Sequence, residues 1–348
     1  MSATAKLVRV SPTLGGQYAV LVGNDASVQR DGAELDTTIF GSGFNSSITG
    51  IINHTFSGNA MFRNNAGYKA KIRTTGTPTA FTSQAATLVS GKTYRISNSA
   101  QSLWNPLVAI VVQSDGTNVA ASDIASINYA IGTVTFVDSF TVAGPVTISG
   151  SYLPLEDMVS ARSVSISQSA DTIETGNFEQ VNDAGGYEFF RATLKSVSAE
   201  LEDFARPTSE WLDKLLAREQ VVLEIDLDGN GTTFCRGFFN VINNGQSGGT
   251  GGDESETVSL SLRVPEQGVG FGWVFAAQSA APLSLQHVIN SWQNGGTVFI
   301  EYLPEGLGKK GTGGEYVITD CSVSVSIDGL AEATVEGQGT GALTVLNP

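Results

Sequence analysis

Apolar and polar residues alternate with a period of two along most of this chain, the signature of half-buried strands. The clearest runs are 18–23, 107–113, 132–137, 145–152, 163–169, 193–201, 221–227, 234–242, 257–264, 297–303, 316–327 and 333–337. Turn signals separate them, among them Asp115-Gly116, Asp228-Gly229-Asn230-Gly231 and Asp328-Gly329. Many short strands joined by Gly-rich turns predict a mainly β protein built of sandwiches or barrels. Two segments change period. Around 208–219, Trp211, Leu212, Leu215 and Leu216 fall on one face of a predicted short helix that Thr208 or Ser209 caps. Around 284–293, Leu285, Val288, Ile289 and Trp292 repeat at helical spacing, with Ser284 as N-cap and Gly295 or Gly296 as the stop.

Each predicted helix leads into the same series: strand, Gly-rich turn, strand, loop, strand. Aligning the first strands sets Val222-Leu223-Glu224-Ile225 beside Val298-Phe299-Ile300-Glu301. Upstream, Glu34-Leu35-Asp36-Thr37-Thr38-Ile39-Phe40-Gly41 echoes Ser169-Ala170-Asp171-Thr172-Ile173-Glu174-Thr175-Gly176, and each precedes a Gly-containing loop and a strand (50–58 and 193–201). Two leading and two trailing halves imply one duplicated sandwich-plus-helix unit. The predicted organisation is 1–75 as the leading half of a first unit, 76–155 as a β-rich inserted or decorating module, 156–265 as a second unit, and 266–348 as a trailing half-repeat.

Composition narrows the function classes. Charged residues are 15% of the 348, below the roughly 25% usual in soluble domains. The 34 acidic and 19 basic residues give a formal net charge of −15. Such a surface repels nucleic-acid phosphates and anionic lipids. No apolar run approaches the ~20 residues of a membrane helix. The first ten residues lack the apolar core of a secretory signal. Two cysteines, Cys235 and Cys321, fit a reducing compartment and read as small buried residues. Two histidines, His54 and His287, leave little for metal or acid–base work; His54 reads as a hydrogen-bonded strand residue and His287 as a surface residue.

Apparent motifs dissolve on inspection. Asp226-Leu227-Asp228-Gly229-Asn230-Gly231 begins like a calcium loop, but its twelfth position is Gly237 rather than a bidentate Glu, so it reads as a hairpin turn. Gly306-Leu307-Gly308-Lys309-Lys310-Gly311 lacks the spacing and the hydroxyl residue of a phosphate loop and reads as a hairpin with a basic tip. Asn53-His54-Thr55 fits a glycosylation sequon by chance. No serine has a nucleophile-elbow pattern. Glu200 and Glu202 alternate on one strand face, which reads as a solvated face. No catalytic, metal or cofactor-binding residue is expected, and no enzyme. Residues 245–253, Gly-Gln-Ser-Gly-Gly-Thr-Gly-Gly-Asp, read as a mobile loop, with Asp253, Glu254 and Glu256 clustered at its end.

The stretch 323–343 (Val-Ser-Val-Ser-Ile-Asp-Gly-Leu-Ala-Glu-Ala-Thr-Val-Glu-Gly-Gln-Gly-Thr-Gly-Ala-Leu) resembles the closing strand pair of tailed-bacteriophage tail tube proteins of the siphophage type. The run from Ile148-Ser149-Gly150-Ser151-Tyr152 through Asp171-Thr172 resembles modules of long-tailed phage tail proteins, as does 34–41 with its following loop and strand. The likeness excludes the middle of the 76–155 module. The chain departs from the usual single unit in carrying two trailing halves.

The resemblance implies a structural subunit of a tail tube: stacked rings whose inner sheets join into a β-barrel around a channel that conducts double-stranded DNA at ejection. An acidic lumen would keep DNA from adhering. A duplicated unit would let three chains build a pseudo-sixfold ring, where single units would need six. The implied partners are further copies of the chain, the tape measure, tail terminator and distal tail proteins, and passing DNA without specific binding; the implied location is the virion, after assembly in the host cytoplasm. Glu200, Glu202, Asp203, Glu332 and Glu336 are the candidate lumen acids. Gly245, Gly248, Gly249, Gly251, Gly252, Asp253 and Glu254 form the candidate inter-ring loop. A different class is an adhesin or carbohydrate-binding β-protein, with Trp104, Trp211, Trp273 and Trp292 as sugar platforms. A carboxylate-based hydrolase would need two acids converging in one cleft, which nothing in the sequence places.

Overall fold

The computed structural model describes residues 7–21, 23, 25–37, 46–61, 70–158, 160–183, 186–204, 210–227, 229, 231, 233–248, 254–263, 273–277, 283–326 and 331–346. The chain is mainly β and its strands pair antiparallel. It divides into two compact units: residues 1–65, 165–197 and 280–348 form one, and residues 66–164 and 198–279 form the other.

The first unit is a sheet in the order Ala19–Val20, Leu7–Ser11, Thr297–Leu303, Gly311–Ser326, Glu332–Leu346, Ser47–Met61 and Ala26–Asp36. Ala161–Glu174 also pairs with Gly311–Ser326. The Gly311–Ser326 and Glu332–Leu346 pair is long and strictly alternating at its heart: Cys321 and Val323, Ala333 and Val335 are buried, while Ser324, Thr334 and Glu336 are exposed. Helix Leu283–Asn294 packs on Gly311–Ser326 and buries Leu285, Val288, Ile289 and Trp292, the stripe expected from its helical spacing. Gly295 ends it at φ +70°, a left-handed conformation that suits a residue without Cβ.

The second unit contains a sheet in the order Leu155–Asp157, Lys71–Thr75, Gln220–Asp226, Thr233–Ser247, Ser255–Leu262 and the C-terminal end of Phe190–Phe204, with Ala161–Glu174 next. Helix Glu210–Ala217 packs on Thr233–Ser247. Its buried stripe is narrower than expected. Trp211 is buried and Leu215 half-buried, but Leu212 and Leu216 are 40% and 72% exposed, because a two-turn helix meets the sheet along a single i, i+4 line. Thr208 and Ser209 lie outside the described residues.

A seven-stranded sheet occupies the 76–155 segment, in the order Ile124–Asn128, Thr133–Phe136, Thr93–Ile96, Thr79–Ser90, Val146–Tyr152, Val111–Ser114, Thr117–Asn118. Its core of Phe81, Trp104, Tyr129, Val134, Phe136 and Ile148 continues into Val222, Phe238 and Val274 of the other sheet of its unit. Arg236 Nη1 donates to the Ala130 carbonyl at 2.7 Å. The segment therefore shares one apolar core with the meander that follows the first helix.

The two units correspond strand for strand. Leu7–Ser11, Thr297–Leu303, Gly311–Ser326, Glu332–Leu346, Ser47–Met61 and Ala26–Asp36 occupy the places held in the other unit by Lys71–Thr75, Gln220–Asp226, Thr233–Ser247, Ser255–Leu262, the C-terminal end of Phe190–Phe204 and the start of Ala161–Glu174, two strands whose remaining residues belong to the first unit. A charge pair repeats with them. Arg9 stands opposite Glu301, and Arg73 stands opposite Glu224. Glu301 and Glu224 are each the fifth residue of their strand, and both are buried. This equivalence sets Val221, not Val222, beside Val298. The sequence alignment is out by one residue because both strands are buried on both faces and offer no alternation to fix their phase.

Candidate functional site: a hydroxyl-rich acidic sheet face

In each unit the main sheet buries one side; away from the doubly buried strands Gln220–Asp226 and Thr297–Leu303 its other side is largely polar, with Leu194 and Ile173 exposed among the hydroxyls. In the first unit the ladder between Gly311–Ser326 and Glu332–Leu346 sets Asp320 opposite Glu336, Ser322 opposite Thr334 and Ser324 opposite Glu332. Next to it, Glu336 faces Ser57, and Gln338 faces Thr55. Ser167 Oγ donates to Asp320 at 3.2 Å, and the Ser169 and Ser196 hydroxyls meet at 2.7 Å. In the second unit Glu200 stands opposite Ser259, Glu202 opposite Thr257 and Ser198 opposite Ser261. Ser163 donates to Glu202, and the Ser247 and Ser255 hydroxyls lie 2.9 Å apart. Period-two sequence produces this directly: Ser and Thr every second residue, with apolar residues between them turned to the core.

Four of the five predicted acids stand on these faces. Glu200 and Glu336 are exposed; Glu202 and Glu332 are half-buried. Glu202 pairs with Arg162 at 3.7 Å. Asp203 does not belong with them. As the residue after Glu202 it points to the opposite side, is only 5% exposed, and its Oδ1 accepts the Phe204 N–H at 2.8 Å. It faces Glu256 across the ladder, and Glu256 is itself buried and accepts from Asn244.

Asp320 is the acid that sequence reasoning missed. It follows Ile318 across a register shift in the ladder, and the extra residue of that bulge resets the alternation. Its half-buried carboxyl is held above the usual carboxylate range by burial first, with the charge of Glu336 adding to the shift and hydrogen bonds from Ser167 and Ser322 opposing it. The Asp320 and Glu336 pair gives this face concentrated negative potential.

The predicted loop is shorter than its composition suggests. Pairing continues through Gly245 opposite Thr257 to Ser247 opposite Ser255, so Gly245 is a strand residue. Gly248 and Glu254 are exposed. Gly249, Gly251, Gly252 and Asp253 lie outside the described residues.

The other motifs resolve into structure. The Asp226 carboxylate accepts the Gly229 and Gly231 N–H groups at 2.9 Å each and pairs with Arg73 at 3.0 Å, organising a turn. Cys235 and Cys321 are fully buried, and burial pushes the Cys321 thiol up to about 12. His287 is half-buried rather than on the surface, because its helix lies across Gly311–Ser326, Thr297–Leu303, Leu7–Ser11 and Ala19–Val20. His54 is buried, and its Nε2 has no hydrogen-bond partner, so it is not the hydrogen-bonded histidine expected. Its ring instead fills a notch against Gly339 and Gly314 and meets the Tyr187 and Tyr316 rings edge to face. Trp104, Trp211, Trp273 and Trp292 are all buried, which removes the sugar platforms of the carbohydrate-binding reading. Among the described residues no group of three or more His, Cys, Asp or Glu side chains could hold a metal ion. Among the described residues no helix is long and apolar enough to cross a membrane.

No protein-family model matches the sequence, and no curated protein matches it. Among solved structures the chain is similar to one from the tail of an empty GTA (gene transfer agent) particle with C6 symmetry. The identity is 15% over 36% of this chain and 87% of that one, with a TM-score of 0.29.

Proposed function

We propose that the chain is a structural subunit of a tail tube, self-assembling into stacked rings around a negatively charged channel that conducts double-stranded DNA. The observation that carries this reading is the duplicated sheet with one buried face and one face of serine, threonine and carboxylate. A face of that composition suits a wall that DNA must pass without sticking. Hydroxyls keep it hydrated, Glu200, Glu336 and Asp320 repel phosphate, and the exposed ring of Phe204 at its margin is covered by the Arg162 guanidinium, 5.1 Å from the ring centre. The net charge of −15 acts in the same direction. Two copies of one fold in a chain let three chains supply six equivalent sheets to a closed ring, and closure removes the open sheet edges that otherwise invite aggregation.

Negative-stain electron microscopy of the purified chain tests the reading. Rings or hollow tubes with a channel wide enough for duplex DNA are expected. A chain that stays monomeric at all concentrations and in the presence of other tail components contradicts it.

A further inference from the structure

The Gly306-Leu307-Gly308-Lys309-Lys310-Gly311 motif has no phosphate-loop geometry, yet the structure leaves it with unmet interactions. Residues 304–310 form the exposed turn between Thr297–Leu303 and Gly311–Ser326. Leu307 is 67% exposed at its tip. Lys309 and Lys310 are exposed and have no ionic partner among the described residues, and they are the only two adjacent basic residues in the sequence. The corresponding turn of the other unit, 227–232, carries no basic residue.

The second unit holds a groove of complementary character. It has a volume of about 700 Å3, within the range of binding clefts, and six acidic against three basic side chains line it. Glu156 and Glu210 on its rim are exposed and make no ion pair among the described residues. Leu107, 67% exposed, adds an apolar lip, and Val221 and Val222 form part of the wall. The groove meets the start of Gln220–Asp226, the helix end of its meander. The basic turn follows Leu303, the opposite end of the corresponding strand. A contact joining opposite ends of corresponding strands is heterologous: it uses two different surfaces and propagates from copy to copy.

We infer that the 304–310 turn of one chain docks into this acidic groove of a second copy, with Lys309 and Lys310 paired to Glu156 and Glu210 and Leu307 against the apolar lip. The inference rests on the self-assembly proposed above and names the surfaces that join successive subunits. Exposed charges of this kind set partner choice and association rate more than final affinity, and salt weakens them.

Zero-length carbodiimide coupling of an equal mixture of ordinary and 15N-labelled full-length chain tests it. Mass spectrometry should find Lys309 or Lys310 joined to Glu156 or Glu210 in mixed-isotope pairs. Linkages confined to single-isotope pairs, or the lysines joined only to other sites, overturn the proposal. In parallel, Lys309→Glu with Lys310→Glu, and Glu156→Lys with Glu210→Lys, should each lower the self-association constant about tenfold or more at low salt. Mixing the two reversed chains should restore association. A mixture no better than either variant alone overturns the proposal. Mixed-isotope links without hollow rings retain this contact and contradict the tube reading, and hollow rings without the links do the reverse.

Discussion

Glu224 and Glu301 occupy the same place in two copies of one fold. Each is the fifth residue of its strand, each is buried, and each pairs with an arginine on a strand that precedes it by many residues: Arg73 at 3.1 Å for Glu224, and Arg9 at 2.8 Å for Glu301. A buried carboxylate demands a partner. The pair therefore fixes the register of a doubly buried strand that its apolar residues leave undefined. In the second unit Arg236 adds another cation at 2.5 Å from Glu224.

Glu224→Ala should be among the most damaging single changes in the chain. It leaves Arg236, 4% exposed, without its carboxylate. Breaking a buried pair this way costs about 3–5 kcal/mol. Replacing Glu224 and Arg236 together with methionine should recover most of that loss. Urea unfolding of the two variants checks it. Equal destabilisation by the single and double changes would remove the pair as the cause.

His54 makes the fold acid-sensitive. Burial, aided by the charge of Arg30, lowers its pKa from 6.5 to about 4. The folded state therefore holds the neutral ring. The stability this provides is complete above pH 6.5 and is lost as pH falls from there towards 4, about 3 kcal/mol in all. Denaturation midpoints of wild type and His54→Gln across pH 4–7 should diverge most at the neutral end and converge as pH falls. A constant difference across that range would show that His54 does not titrate in this window.

Asp320 acts in the opposite sense. Its carboxyl pKa is raised in the fold, so its ionised form costs stability above that pKa, and the cost disappears as pH falls through it. Asp320→Asn should stabilise the chain by about 0.2–1 kcal/mol at pH 7, the scale of a like-charge cross-strand pair. The advantage should vanish at pH 3. Thermal unfolding at the two pH values measures this, and an unchanged midpoint at pH 7 would mean Glu336 does not oppose the ionised form.

If Glu200 and Glu336 face the channel, reversing their charge changes how DNA moves past them. Glu200→Lys with Glu336→Lys should slow release of DNA from assembled particles, more at low salt than at high salt, because the added cations attract phosphate. Ejection kinetics followed by dye binding to released DNA supply the readout. Unaltered kinetics at both salt levels would turn these residues away from the channel.

The strands most legible in the sequence were those with one wet face. Ala333, Val335 and Gly337 alternate with Thr334 and Glu336, and that period survives intact in the structure. Helix Leu283–Asn294 was equally clear because Leu285, Val288, Ile289 and Trp292 all reach the core. What escaped was short, locally out of phase, or exposed along most of its length, as Ala26–Asp36 and Thr79–Ser90 are, so that no apolar alternation marks it. Leu7–Ser11 and Lys71–Thr75 have only five residues each with an arginine at the centre, which reads as polar connection until its buried glutamate is known. Asp320 was hidden by a bulge, and Asp203 was grouped with Glu202 although adjacent strand residues face opposite ways. The hydrogen bond expected of His54 was replaced by a close fit. A Cβ on Gly339 would lie 2.1 Å from Nε2, a relation set by packing between residues far apart in sequence.

The mass of a single ring tests the account most directly. Native mass spectrometry of rings released from short assemblies should give three copies of the 36.4 kDa chain, with six copies of the fold closing the ring. Rings of six chains would contradict the claim that the two units of each chain play equivalent parts in one ring.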